Sequence, residues 1–262
     1  MGIKRGAPDQ PGILNAAVLS EVGRVRQANE DAYALLPEQG LFIVSDGMGG
    51  QQAGGLASRI VVEVLPQMLA QRLSPALEGQ AAEFSRVLRD SIVELGQQIR
   101  QQASHRPALA GMGATLVLAC VRNEHAFIAH MGDSRAYLYR RRKLRQLTND
   151  HSVVAFLLRH GEITSKEAAG HPAKGRLSRY VGMEGDAYPD VKVIKLARGD
   201  RILLCSDGLT GMVADNTIDK LLSKHSDPEL ACRALVEAAN TAGGRDNITV
   251  LVVDFHGGAA AD

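Results

Sequence analysis

The chain contains FIVSDG at residues 42–47 and ILLCSDG at residues 202–208, two apolar runs that both end in Ser-Asp-Gly. An apolar run of this length closed by a turn signal predicts a buried β-strand. Asp46 and Asp207 would then stand where rigid strands end, each followed by a glycine that lets the chain turn sharply. If the two carboxylates converge, they repel each other unless a cation lies between them. A hard divalent metal ion is the obvious candidate.

Around these two runs, the predicted strands and helices are grouped rather than alternating. Predicted strands cover about 14–20, 32–36, 40–45, 115–121, 125–130, 135–139, 191–196, 202–205 and 248–255. Helical patterns cover about 53–73 and about 79–103, and Pro66 predicts a kink or break in the first of these helices. Two further helices are predicted to begin near Asp215 and after the N-cap residue Asp227. The three strands between 115 and 139 have short connections, which favour antiparallel pairing. This order predicts an α+β fold of two antiparallel sheets covered by helices.

The segment 150–190 differs from the rest because short helical patterns alternate with glycines. Residues 153–158 predict one short helix, and the capping-box spacing of Thr164 and Glu167 predicts another. The segment is therefore expected to be an irregular, mobile flap. We expect residues 13–256 to form a single domain that includes this flap, with flexible Gly/Pro/Ala-rich tails at 1–12 and 257–262.

The composition is that of an ordinary globular protein. The 262 residues are 45% hydrophobic and 23% charged, with a formal net charge of +1, which gives no general drive towards nucleic acid or an anionic membrane. Cys120 and Cys205 lie in apolar runs and the third cysteine leaves an odd count, so reduced thiols in a reducing compartment are expected. No apolar stretch reaches the ~20 residues of a membrane span. We expect a cytoplasmic protein.

Several acidic residues share one context, a strand boundary beside glycine or asparagine. They are Glu30, Asp31, Asp46, Asp133, Asp207 and Asp246. Each alone has the ordinary alternative of a turn or cap residue. Together they would form an oxygen-only site of the kind that selects Mg²⁺ or Mn²⁺, whereas the spacing of His and Cys does not fit zinc.

Arg26 lies just before the acidic pair Glu30-Asp31. Two hard cations about 3.5–4 Å apart can activate a water for in-line displacement at a phosphate ester. Arg26 could then hold the phosphate as a bidentate fork. An ordinary salt bridge from Arg26 to Glu30 or Asp31 is equally compatible with the local sequence.

A set of ordered motifs covers about residues 18–255 and resembles one family. The motifs are GRVRQANEDA, FIVSDGMGG, GMGATL, HMGDSRAYL, LTNDHS, HPAKGRLSRYVG, LLCSDGLTGMV and GGRDNITV. In this order they are similar to metal-dependent serine/threonine protein phosphatases of type 2C, in their bacterial branch. The resemblance implies a four-layer α/β/β/α sandwich of two antiparallel sheets between helix pairs, with the flap at about 150–190 beside the site.

The resemblance also implies roles for individual residues. Asp46 would bridge two Mn²⁺ or Mg²⁺ ions, and the Gly47 carbonyl would bind one of them. Asp207 and Asp246 would complete the coordination of the first ion, Glu30 and Asp31 would support the second, and Asp133 would hold a weaker third ion. Arg26 would hold the phosphate, and His171 in the flap would lie near the substrate. The implied reaction is direct attack on phosphoserine or phosphothreonine by a hydroxide held between the two ions.

Two positions depart from the family pattern. Met48 stands where eukaryotic members have a histidine proposed to protonate the leaving group, and a methionine cannot donate a proton. Gly211 stands four residues after Asp207, where relatives usually carry an aspartate that helps the third metal. Weak binding of a third ion is therefore expected.

The implied partners are phosphoproteins, among them a serine/threonine kinase and its substrates, with no nucleic acid or membrane partner. A monomer is expected, since the sequence leaves no apolar stripe for an obligate partner. The alternatives are another two-metal phosphoester hydrolase, such as a nuclease, and a catalytically weak module that binds phosphoprotein.

A further feature is the basic run Arg140–Lys143 with Arg145, which predicts a solvated hairpin turn or, alternatively, a docking patch for phosphoprotein.

Overall fold

The computed structural model describes residues 4–5, 14–73, 80–185 and 187–257, apart from the side chains at positions 4, 5, 51 and 52. The strands are β1 Lys4–Arg5, β2 Leu14–Glu21, β3 Asp31–Leu36, β4 Leu41–Met48, β5 Gly113–Ala114, β6 Leu116–Arg122, β7 His125–Met131, β8 Arg135–Arg140, β9 Lys143–Gln146, β10 Asp190–Lys195, β11 Asp200–Cys205 and β12 Ile248–Phe255. The helices are α1 Gln51–Arg72, α2 Ala81–Ser104, α3 Val153–Arg159, α4 Ser165–Ala169, α5 Asp207–Thr210, α6 Asp215–Lys224 and α7 Pro228–Thr241. Most of the predicted tails lies outside the described residues, but β1 pairs with β2.

Two antiparallel sheets form the centre of the molecule. The first sheet has the order β1-β2-β12-β11-β8-β9, and the second has the order β10-β7-β6-β4-β3, with β5 paired to β4. Helices α1 and α2 pack on the outer face of the second sheet, and α6 and α7 cover the outer face of the first. A third apolar cluster fills the space between the sheets. The predicted four-layer α+β sandwich is confirmed.

The two Ser-Asp-Gly strands are apolar along their whole length because both of their faces are buried. In β4, Phe42 points into the cluster between the sheets, whereas Ile43 points towards α1 and α2. In β11, Leu204 faces the space between the sheets, and Leu203 faces α6 and α7. These runs are therefore inner strands of the two sheets, and their ends meet at one edge of the sandwich.

The predicted pairing of the three consecutive strands is confirmed for β6 with β7 and wrong for β8. Instead, β8 pairs with β11, so the chain crosses from the second sheet to the first after Met131. Gly132 makes this crossing possible, because its φ is +105° and a Cβ there would lie 2.7 Å from the Cβ of Thr115. The crossing places Asp133 between the ends of the two sheets.

Helix α1 is continuous from Gln51 to Arg72, so of the kink or break expected at Pro66 the break is wrong, and the kink stays a prediction. Leu65 and Leu69, on either side of the proline, are buried in the core under the helix, and this packing outweighs the lost backbone hydrogen bond. Helix α2 follows its predicted pattern, with Phe84, Leu88 and Ile92 among its buried residues. None of the helices in the described part of the chain is long and apolar enough to span a membrane.

The flap segment contains the two predicted short helices, α3 and α4, and the capping box of Thr164 and Glu167 is confirmed. An isolated bridge between Val181 and Ala114, at the start of the core strands, ties the segment to the sandwich, and a second bridge, between Ser152 and Leu177, lies within the segment. Its mobility stays a prediction.

Candidate metal centre

A cleft of about 250 Å³ lies where β4 and β11 end. Its walls include Glu30, Asp46, Asp133, Asp207 and Asp246, together with Arg26, Asn247 and the flap residues Gly175 and Leu177. Carboxylates separated by up to 216 positions in the chain are thus brought to one place, as the sequence predicts. The fold does this by ending inner strands of both sheets at the same edge.

Three carboxylates in this cluster, those of Asp46, Asp133 and Asp207, are destabilised in their charged form by burial and by their neighbours. The pKa of Asp46 is raised well above its usual value, first by burial and then by the charge of Asp31 and other carboxylates. Burial also raises the pKa of Asp207, with Asp246 as the largest neighbouring charge, and the pKa of Asp133, with Asp207 next. A protein that collects carboxylates in this way has built a site for cations.

Two oxygens of the cluster have no partner in the described part of the molecule. They are the buried Oδ1 atoms of Asp31 and Asp207. A buried carboxylate oxygen without a donor is costly, because water no longer solvates it. Divalent Mn²⁺ or Mg²⁺ would neutralise these oxygens, so the residues present fit the implied metal ions.

Asp31 is held behind the cleft by two hydroxyls. Its Oδ2 accepts hydrogen bonds from Ser206 Oγ and from Thr249 Oγ1, each 2.7 Å long. In strand register, Asp31 stands opposite Asp46. One oxygen of Asp31 is therefore fixed by the protein, while the other, Oδ1, is buried without a hydrogen-bond partner among the described residues.

Thr115 connects Asp46 to the Asp133 turn, and sequence reasoning gave this residue no role. Its Oγ1 accepts a hydrogen bond of 2.9 Å from the Asp46 backbone N–H, and its own N–H donates to the Asp46 carbonyl at 2.8 Å. The same Oγ1 lies 2.7 Å from Ser134 Oγ, next to Asp133. The one signal for Thr115 in the sequence was its position in the GMGATL motif.

Arg26 forms an ion pair, but with Asp246 rather than with the predicted partners Glu30 or Asp31. Its Nη2 donates to Asp246 Oδ2 at 2.8 Å, and its side chain is 51% exposed. The exposure leaves the rest of the guanidinium free to meet a ligand in the cleft. Asp246 raises the pKa of Arg26, which therefore stays charged.

Asn247 is a second functional residue that sequence reasoning missed. Its Oδ1 accepts from the Glu30 backbone N–H at 2.8 Å, and its Nδ2 donates to the carbonyls of Val22 and Ala28. The loop that carries Arg26 and Glu30 is thereby fixed to the start of β12. The asparagine in GGRDNITV was the available signal.

Gly47 is required by close approach of the backbone. A Cβ at this position would lie 2.0 Å from the Gly54 carbonyl oxygen and 2.9 Å from that of Glu30. Strand β4, helix α1 and the Glu30 loop therefore converge at Gly47, which lines the cleft. The use of its carbonyl as a metal ligand stays a prediction.

His171 is not among the residues that line this cleft in the described structure. Its Nδ1 accepts a local hydrogen bond of 3.1 Å from the Ala173 backbone N–H. The flap instead approaches the cleft through Gly175 and Leu177. Contact between His171 and substrate therefore stays a prediction.

A second group of ligand-type side chains lies beside the flap. His130, His151 and Asp190 bring their polar atoms within 4.8 Å of one another, a proximity that residue spacing did not reveal. The imidazoles stack with centroids 4.3 Å apart, His130 Nε2 lies 2.8 Å from the Asn149 carbonyl, and His151 accepts from the Gly132 N–H. These contacts describe a hydrogen-bonded network that joins the flap to the Asp133 turn.

Known proteins are similar to this chain over most of its length. The family model for protein phosphatase 2C matches residues 23–245. The serine/threonine phosphatase stp of Listeria welshimeri is 42% identical, over 92% of this chain and 96% of its own. The structure of the S. agalactiae serine/threonine phosphatase has a TM-score of 0.86 at 31% identity, covering 92% of this chain and 99% of its own. The catalytic domain of the phosphatase PstP, solved with two manganese ions, has a TM-score of 0.78 at 33% identity, covering 92% and 98%.

Proposed function

The chain belongs to the protein phosphatase 2C family, and we propose on this basis that it removes phosphate from phosphoserine and phosphothreonine residues of proteins, using two Mn²⁺ or Mg²⁺ ions. The observation that carries the proposal is the cleft in which five carboxylates and Arg26 converge, and in which a buried carboxylate oxygen of Asp207 has no partner within the described part of the chain. When bound, the metal ions lower the pKa of water and stabilise the charge of the transferring phosphoryl group.

The chain's own residues would hold the metal ions and bind the phosphate group of the substrate. Asp46, Asp207 and Asp246 would hold one ion, with Glu30 and Asp31 supporting the other. Arg26 can bind phosphate oxygens with the guanidinium edge that Asp246 leaves free. Its fixed positive charge stabilises the charge on the equatorial oxygens of the loose transition state.

Protonation of the leaving serine or threonine is not a task for Met48. This residue lines the cleft at the position after Gly47, and its thioether carries no proton to donate. Solvent is the remaining proton source at this position. The carboxylates whose pKa is raised are proposed as metal ligands and are therefore ionised in the working protein.

Hydrolysis of a phosphothreonine peptide tests the proposed function. We expect phosphate release with Mn²⁺, loss of release in EDTA, and loss with Asp207→Asn, because the amide removes a charged ligand while keeping its shape. Phosphate release would be measured colorimetrically, with circular dichroism to verify folding. No metal-dependent release from the wild-type protein would overturn the proposal.

Gly211 offers a test of the third metal position. A Cβ at residue 211 would lie 2.9 Å from the Asp207 carbonyl oxygen, so an aspartate there requires the end of α5 to shift, although the φ of −72° is one that any residue adopts. We expect Gly211→Asp to lower the Mn²⁺ concentration needed for half-maximal turnover, because related phosphatases usually carry at this position an aspartate that helps the third metal. Gly211→Asn is the uncharged control. Superimposable metal titrations of the wild-type and Gly211→Asp proteins would contradict the expectation.

We also propose that the substrates are proteins phosphorylated by a serine/threonine kinase, and that the protein acts as a cytoplasmic monomer. The three free cysteines, all buried, support a reducing compartment. Native mass spectrometry of the metal-loaded protein would test the monomer, and fractionation of the source cells would test the location.

A further inference from the structure

The β8–β9 hairpin turn has a backbone conformation that its residues do not favour. Arg141 and Arg142 occupy the two turn positions with φ of +52° and +59°. Turns with two residues of positive φ favour Asn-Gly, because other side chains are strained there. Both arginine side chains are exposed to solvent. The hairpin therefore keeps two cations at positions where a neutral pair would be more stable, and strain of this kind points to a function for the side chains.

Arg140, just before the turn, has a structural role. Its guanidinium forms a bidentate ion pair with Asp200 and donates to the Lys195 carbonyl. Asp200 is buried and also accepts from the Ala197 N–H, so this nearby acid is already used. A structural ion pair thus accounts for Arg140 but not for its exposed neighbours.

Four cations around this turn have no acidic partner among the residues that the structure describes. Within the described ranges, no ion pair is formed by Arg141, Arg142, Lys143 or Arg198, and all four side chains are exposed. Arg198 lies two residues before Asp200, the partner of Arg140. We call these four residues the far-end basic surface.

The far-end basic surface lies at the opposite end of the first sheet from the metal centre. Strand β8 starts at Arg135, two residues after Asp133, and runs six residues before the turn. At about 3.3 Å per residue, the turn is roughly 20 Å from the cleft end of the strand. A phosphorylated residue in the cleft cannot itself reach Arg141, so the two sites would bind different parts of one chain.

We propose that the far-end basic surface docks an acidic segment of the phosphoprotein substrate, several residues from the phosphorylated side chain. The proposal rests on the proposed phosphatase function. Aspartate and glutamate carboxylates match the guanidinium forks of Arg141 and Arg142. A protein fits better than a continuous polyanion such as nucleic acid, because a protein can separate its acidic segment from its phosphate by a neutral spacer that spans the distance between the two sites.

A pair of variants separates charge from turn geometry. Arg141→Asn with Arg142→Gly removes both charges and relieves the positive-φ strain, so this variant unfolds at a higher temperature than wild type. Arg141→Lys with Arg142→Lys keeps the charges and the strain. Neither residue contacts the cleft, so hydrolysis of p-nitrophenyl phosphate stays at the wild-type level in both.

The substrates are phosphothreonine peptides with a run of aspartates either before or after the phosphothreonine. A spacer of about eight residues, which spans roughly 26 Å when extended, separates the phosphothreonine from the aspartates. Matched peptides carry serines in place of the aspartates. The wild-type and Lys-Lys proteins have a KM about 3- to 10-fold lower for the better acidic peptide than for its serine control. The Asn-Gly variant loses this preference, and high salt abolishes it in all three.

Binding measurements keep the outcome independent of catalysis. Fluorescence anisotropy with a labelled aspartate-run peptide without phosphate shows weaker binding to the Asn-Gly variant than to the wild-type and Lys-Lys proteins. Equal binding by all three proteins, or tighter binding of an oligothymidine of equal charge, overturns the docking proposal. Absence of p-nitrophenyl phosphate hydrolysis in the wild-type protein, with this binding difference intact, counts instead against the proposed function.

Discussion

Asp46→Asn is expected to lower kcat for a phosphothreonine peptide by about 10³-fold or more, while raising the unfolding temperature of the metal-free protein. The loss of turnover would follow because Asp46 is proposed to hold metal ions that, when bound, supply several kcal/mol of transition-state stabilisation. The gain in stability follows because the amide removes a buried negative charge whose pKa is raised by burial and by the surrounding aspartates. Activity and stability should therefore move in opposite directions.

Thermal unfolding in EDTA and in Mn²⁺ measures both parts of this expectation. In EDTA the mutant should unfold about 2–4 °C higher for each kcal/mol of repulsion removed. Adding Mn²⁺ should stabilise the wild-type protein through ligand binding and the mutant much less. Asp90→Asn is the control, since Asp90 pairs with Arg86 on the exposed face of α2 and neutralising it leaves the cleft unchanged. A metal-free mutant less stable than wild type would contradict the repulsion argument.

The pH dependence of the same comparison has a definite sign. Burial raises the pKa of Asp31 and of Asp133 to about 7, above the unfolded value of about 3.9. In this window the folded metal-free protein binds more protons than the unfolded chain, so its stability falls as the pH rises. The stability advantage of Asp46→Asn in EDTA should accordingly be largest above pH 7 and shrink towards pH 4.

The sequence identified the carboxylates because the features that place them are local. An apolar run followed by Ser-Asp-Gly needs only its own residues to show that a strand ends at an acid. The serines of the two motifs are different in this respect. Ser45 Oγ donates to the Thr115 carbonyl, whereas Ser206 Oγ donates to Asp31 Oδ2. These hydrogen-bond partners are distant in the chain, so the repeated motif could not predict that its two serines form hydrogen bonds with different residues.

The crossing between sheets was missed for a related reason. A short connection favours antiparallel pairing, and the link between β7 and β8 is short, but strand length and spacing carry no information on which sheet receives the next strand. The turn conformation of Gly132, which packs against Thr115, determines that the next strand joins the other sheet. Because that crossing also carries Asp133 into the cleft, the third-metal position depends on tertiary packing that periodicity cannot predict.

Thr115→Val is expected to lower kcat about 10- to 100-fold and to weaken Mn²⁺ binding, although Thr115 carries no charge. Valine has nearly the same shape but cannot accept the hydrogen bond from the Asp46 N–H or pair with Ser134 Oγ. An unsatisfied buried N–H costs about 1–3 kcal/mol. The end of β4 can recover solvent contact only by moving, and this movement displaces the carboxylate of Asp46 from its position in the cleft.

Two further variants separate positioning from simple destabilisation. Thr115→Ser keeps the hydroxyl and should restore most of kcat and Mn²⁺ affinity, even though it removes a buried methyl group. Ser134→Ala keeps the Asp46 contact and loses only the link to the Asp133 turn, so it should spare the tightest Mn²⁺ binding and affect the weaker phase alone. Calorimetric titration with Mn²⁺ distinguishes these phases. If Thr115→Val bound Mn²⁺ as wild type does and lost only stability, Thr115 would be a packing residue, and the Asp46 carboxylate would be held by β4 and Gly47 without it.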